Sequence, residues 1–164
     1  MKITYLTPHF AVTGVLQPDD IPGVAARGFK SILSNLPDGE SVQYPSSADE
    51  AAHAERAGLE FRHVPAKKIE VFSDRVVDGM AQALSELDGP VLAHCASGLR
   101  SAIAWAAAAA RSQPSDCVIA VLKTAGFDLA AIRDELEDQY RRDHSSSIPA
   151  ALDCRCAEQE KGTA

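Results

Sequence analysis

Along the chain, short apolar runs alternate with stretches whose apolar residues recur every three or four positions, the pattern of strands interleaved with amphipathic helices. Residues 3–7 and 10–15 are β-branched and aromatic runs around Thr7-Pro8, so they read as two strands capping the edge of a sheet. Pro18-Asp19-Asp20 opens a short helix to Arg27, with Gly28 in the helix-ending position. Residues 29–36 follow as a buried strand, and Pro37-Asp38-Gly39-Glu40 is a turn. Ser46-Ser47-Ala48-Asp49-Glu50 carries the hydroxyl-plus-acid signature of a helix start, and that helix runs to Gly58 before a strand over 59–64.

Ser73 starts another helix, with Val76, Val77, Met80, Leu84 and Leu87 at helical spacing, and Asp88-Gly89-Pro90 stops it. Residues 90–94 are strand again, and a loop at 95–100 leads into an alanine-rich helix whose Trp105 reads as core. Ser115 caps a further helix ended by Gly126, and Leu129, Ile132, Leu136 and Tyr140 mark the last one. From His144 onward the chain is polar and aperiodic, which predicts one domain over 1–143 and a flexible tail over 144–164. Strands separated by crossover-length helices imply an α/β fold, with parallel strands at the centre of the sheet and helices on both faces. In such sheets ligands bind at the carboxyl ends of the strands, which points to the 94–101 junction.

Composition narrows the partners. A chain of 164 residues suffices for one core, and a net charge of -7 argues against nucleic acid, which requires a surplus of Lys and Arg. The longest apolar stretch, 102–110, is far short of the roughly 20 residues that span a bilayer, and Met1-Lys2-Ile3 is not followed by a signal-peptide core. The expectation is a cytoplasmic protein with no membrane partner; no oligomeric state is assigned. The cysteines at 95, 117, 154 and 156 include no C-x-x-C pair, and the histidines are scattered, so neither a metal site nor a cofactor is expected. Free thiols are the default reading, with Cys117 a packing residue and Cys154-Arg155-Cys156 a tail element that could relay sulfur.

The chemistry concentrates in Val91-Leu92-Ala93-His94-Cys95-Ala96-Ser97-Gly98-Leu99-Arg100-Ser101, an apolar strand that turns through a glycine-containing loop into a helix. A cysteine at that junction faces the positive end of the helix, and the loop N–H groups favour its thiolate and can also bind an oxyanion. Ala96, Ser97, Gly98 and Leu99 form the anion-binding loop, Gly98 supplying the backbone freedom to curl the amides inward. Arg100 adds a planar fork suited to phosphate, thiosulfate or sulfonate oxygens. Lys67 and Lys68 read as an exposed charge pair that can also draw in an anion.

The stretch HCASGLRS resembles the active-site loop of rhodanese sulfurtransferases and cysteine-dependent phosphatases. Residues from Ile3 to about Leu136, including LTPHFAVTGVLQPDDIPGVAARGFKSILSNLPDGE, are similar to the phosphatase-like domains of beta-lactamase hydrolase-like proteins. The resemblance implies a cysteine-phosphatase-like fold of the dual-specificity type. It further implies Cys95 as nucleophile, Arg100 as anion clamp, Ser101 as a hydroxyl beside the thiolate and His94 as a residue orienting the loop.

Two departures bear on the reaction. Four residues separate Cys95 from Arg100 rather than the five of the phosphatase pattern, and by resemblance this shorter ring suits sulfane sulfur. The general acid of classical phosphatases also has no clear counterpart: Asp74 reads as a first-turn helix acid, Glu70 is a weaker candidate, and Asp38 reads as a turn-former near the loop. The sequence therefore points first to a sulfurtransferase working through a Cys95 persulfide on a small anionic or persulfide substrate. A phosphatase acting on a phosphoester through a Cys95 thiophosphate is the alternative, and a non-catalytic anion- or oxidant-sensing module is the third reading.

Overall fold

In the computed structural model, which describes residues 1–142 and 148–154, the β-branched and apolar runs form strands β1 (Thr4–Thr7), β2 (Phe10–Thr13), β3 (Ser31–Ser34), β4 (Glu60–His63) and β5 (Val91–His94). They make one sheet in the order β1-β2-β5-β3-β4. β1 pairs antiparallel with β2, and all other neighbours are parallel. β1 is thus the edge strand, whereas β2 lies inside the sheet between β1 and β5; a two-residue hairpin turns it inward, where an apolar strand is worth most.

The helical segments are α1 (Ile21–Ala26), α2 (Ser47–Arg56), α3 (Asp74–Glu86), α4 (Leu99–Ala110), α5 (Ser115–Thr124) and α6 (Arg133–Arg142). Ser46 and Ser73 cap α2 and α3 as their positions predict, accepting from Asp49 N and Val76 N. Ser115 does not cap α5: Pro114 holds the N-cap position and Ser115 begins the helix, buried. Proline in extended geometry serves there, since the helix makes no use of an N–H at that position and the Pro114 carbonyl still accepts from Cys117 N at 3.0 Å.

Strand alternation sends side chains to two apolar cores. On one face Ala11, Ile32 and Leu92 pack with Ile21, Val24 and Ala54 of α1 and α2. On the other, Val12, Leu33, Val91 and Ala93 join α3, α4, α5 and α6. α4 lies deep in this second core: Ala102, Ala104 and the run from Ala106 to Ala110 are buried, and Trp105 is fully enclosed with its ring stacked 6.1 Å from Phe10.

The tail expected from His144 onward is corrected for its described part. Ala151, Leu152 and Cys154 are buried against that core, Trp105 Nε1 donates to Ala151 O at 2.8 Å, and Cys154 N donates to Gln113 Oε1 at 2.8 Å. Cys117 and Cys154, with Cα atoms 6.6 Å apart, form a disulfide, so the free-thiol reading fails for this pair and Cys154 is no mobile relay. Apolar burial against a tryptophan, with one covalent tie, holds a segment too short to show any period. Cys156, the other cysteine of the expected relay, lies outside the described residues. Among the described residues no helix is long and apolar enough to cross a membrane.

Candidate active site

The carboxyl end of β5 delivers Cys95 into a tight bend that closes at the start of α4. Gly98 makes the bend possible. It adopts φ +87°, and a Cβ there would stand 3.2 Å from Thr13 O, so both the dihedral and the close approach of β2 demand glycine. The curl turns the Gly98 N–H back toward the cysteine, donating to Cys95 Sγ at 3.2 Å. The sulfur thus faces an amide N–H close to the N-terminal end of a 12-residue helix.

Cys95 is 1% exposed, yet it lines a cavity of about 460 Å3 together with Lys68, Val71, Ala96, Ser97, Leu99, Arg100 and Ile103. The Cys95 side chain therefore borders an opening rather than being packed away. Among these lining residues the charges are all positive and the walls are mostly apolar, an environment for an anion that leaves bulk water behind.

Arg100 is held by three hydrogen bonds to two partners. Nη1 donates to Glu40 Oε2 at 2.9 Å and to Ala66 O at 2.8 Å, and Nη2 donates to Glu40 Oε1 at 2.8 Å. The fork-to-fork pairing lowers the Glu40 carboxyl below its ordinary value and raises the Arg100 guanidinium above its own. Glu40 was read from sequence only as part of a turn. Its place at the carboxyl end of β3, beside the carboxyl end of β5, was the available signal.

Other expected residues fall elsewhere. Asp38 does not line the cavity; its carboxylate accepts from Ser47 N and Ser47 Oγ, both at 2.7 Å, which lowers its pKa and ties the Glu40 turn to the start of α2. Asp74 pairs with Arg142 at 2.6 Å and Arg111 at 3.4 Å across the α3–α6 side, away from the cavity. Ser101 is fully buried in the first turn of α4, its hydroxyl without a hydrogen-bond partner among the described residues. His94 is buried on the α2 face and lies 3.1 Å from Glu50. Among the described residues no group of three or more His, Cys, Asp or Glu is gathered that could hold a metal ion.

Residues 2–112 match the family described as the beta-lactamase hydrolase-like protein, phosphatase-like domain. The chain belongs to that family. A beta-lactamase hydrolase-like protein of Agrobacterium fabrum strain C58 is 32% identical over 152 residues, which is 91% of this chain and 34% of the relative. The chain thus spans about a third of that curated relative. A solved structure of a candidate phosphatase from Neisseria meningitidis Z2491 superposes with TM-score 0.72 and 30% identity, covering 85% of this chain and 99% of its own. The core catalytic domain of the PP-IP phosphatase SIW14 from S. cerevisiae, solved with citrate, is similar in fold at TM-score 0.57 and 14% identity, covering 86% of this chain and 85% of its own. The phosphatase-like domain described here therefore has the cysteine-phosphatase fold expected of it.

Proposed function

We propose that this phosphatase-like domain is a cysteine-dependent phosphatase. The observation that carries the reading is one cavity lined by both Cys95 and Arg100, with the Gly98 N–H donating to the sulfur. The Cys95 thiolate attacks phosphorus as the bond from phosphorus to the leaving oxygen breaks, giving a cysteinyl phosphate. Water then attacks phosphorus and returns the electron pair to sulfur, releasing inorganic phosphate. Loop amides and the Arg100 fork take the charge on the equatorial oxygens. Among the lining residues no carboxylate stands ready to protonate a leaving alkoxide, so the reading favours substrates whose leaving group is itself acidic. Family membership and the Neisseria relative support phosphoryl chemistry over the sulfur chemistry placed first by the sequence.

One observation favours sulfur transfer as a second reading: Cys95 and Arg100 are separated by four residues. In that reaction the thiolate attacks the outer sulfur of thiosulfate, sulfite leaves, and the Cys95 persulfide is attacked by a thiol or cyanide. Turnover of p-nitrophenyl phosphate, set beside thiosulfate plus cyanide, tests both, with Cys95→Ser as control. Hydrolysis of the aryl phosphate that depends on Cys95 is the expected result. Thiocyanate formation without it hands the site to the second reading, and anion binding with neither turnover reduces it to a sensing module. A cytoplasmic location belongs to the same proposal.

A further inference from the structure

Behind the loop, on the α2 face of the sheet, lies a buried pair that the proposed chemistry does not use. His94 is 0% exposed and Glu50 is 2% exposed, and His94 Nε2 stands 3.1 Å from Glu50 Oε1. The approach is not aligned as a hydrogen bond, and among the described residues neither His94 nitrogen nor Glu50 Oε1 has another partner. Further back on this face the side chains are apolar, among them Ile32, Ala54 and Leu92, whereas the two strand residues in register with His94 are Thr13 and Ser34. Thr13 Oγ1 donates to Lys2 O at 2.9 Å, and the Ser34 hydroxyl has no partner among the described residues.

An imidazole and a carboxyl are unfavourable in such a setting unless each answers the other, and two apolar side chains would pack there at less penalty. The backbone of His94 is tied within the sheet, its carbonyl accepting from Asn35 N at 2.8 Å with β2 and β3 in register on either side, but these bonds lie in the sheet plane and leave the tilt of this last strand residue to its side chain. That ring is the last side chain of β5 before the peptide that carries Cys95. A small ring rotation converts the 3.1 Å approach into an N–H donated from His94 Nε2 to the Glu50 carboxylate.

We infer that Glu50 is a positioning residue for Cys95, acting through His94 to hold the end of β5 from which the thiol is aimed at the Gly98 N–H. The inference rests on the thiolate reading above, and it applies whichever group the sulfur transfers.

Alkylation of Cys95 by iodoacetamide, followed by peptide mass without reductant, tests the pairing with no substrate needed. Glu50→Gln slows alkylation near neutral pH by about tenfold while the far-UV circular dichroism stays native, as expected for loss of a supporting contact. Glu50→Asp restores part of the rate, and Glu50→Gln adds nothing in a His94→Asn background. Equal rates in wild type and folded Glu50→Gln overturn the inference, as does equal slowing in the His94→Asn background. If Glu50→Gln fails to fold, the long-range proton–nitrogen spectrum of the wild-type imidazoles decides: a protected, downfield His94 Nε2 proton supports the pairing and a freely exchanging one overturns it. Rapid Cys95 alkylation with no phosphate turnover in wild type sinks the phosphatase reading alone.

Discussion

The loop after β5 is approached from two sides by glutamates, and the two sides are built differently. On the open side Glu40, with 30% of its side chain exposed, grips Arg100 with both oxygens. On the closed side Glu50, at 2%, faces His94. A partly solvated ion pair exchanges partners readily, because water screens what is lost when it opens. A buried pair cannot be parted without stranding a polar group, so it keeps geometry rather than trading ligands. The Cys95 loop thus lies between a partly solvated ion pair on one side and a buried carboxyl–imidazole contact on the other.

Removing the sulfur that both sides serve has the largest effect: Cys95→Ser lowers turnover by at least about a thousandfold, measured with the aryl phosphate, while the melting temperature holds. Arg100→Lys disables the open side only. A point charge cannot reproduce the fork, and kcat/KM falls by about a hundredfold, with the salt dependence of anion binding retained.

Glu40→Gln sharpens the contrast in the other direction. Freed of its carboxylate, the fork binds inorganic phosphate more tightly, by about threefold to tenfold in competitive inhibition, with little loss of stability at neutral pH. The sign with pH follows from the lowered Glu40 carboxyl. Its contribution to stability is complete above the ordinary value of 4.5 and disappears as pH falls through the lowered one, so the unfolding profiles of wild type and Glu40→Gln converge in acid. Asp38→Asn is the mildest change. It loosens the turn carrying Glu40 by weakening the bonds from Ser47, lowers the melting temperature by about 2 °C near neutral pH, and loses that difference once pH falls below the ordinary 3.8, through the lowered value.

Much of this arrangement was legible in the residues. The alternation of strands and helices gave the parallel sheet, Ser46 and Ser73 announced their helices, and the passage from Val91 to Ser101 announced the loop, because each of these is decided within a few residues. What was not legible depends on partners far along the chain. Glu40 and Arg100 are 60 residues apart, and nothing in the turn says which cation its acid will meet. Glu50 looks like any first-turn helix acid until β5 brings His94 beneath it. The Cys117–Cys154 bond spans 37 residues, and the apolar residues near Cys154 number too few to register as a pattern, so a segment that completes the core reads as tail.

The alanine run of α4 has one further consequence. Seven of the nine side chains from Ala102 to Ala110 are buried methyl groups and an eighth is the enclosed Trp105, so the helix has little slack to absorb a change in width. It behaves as a stiff beam about 18 Å long, counting 1.5 Å per residue. One added methylene at its far end, near Ala109, would lever the guanidinium at the other end off its mark, so the aim of the site is stored along the whole beam, in groups that never meet a substrate.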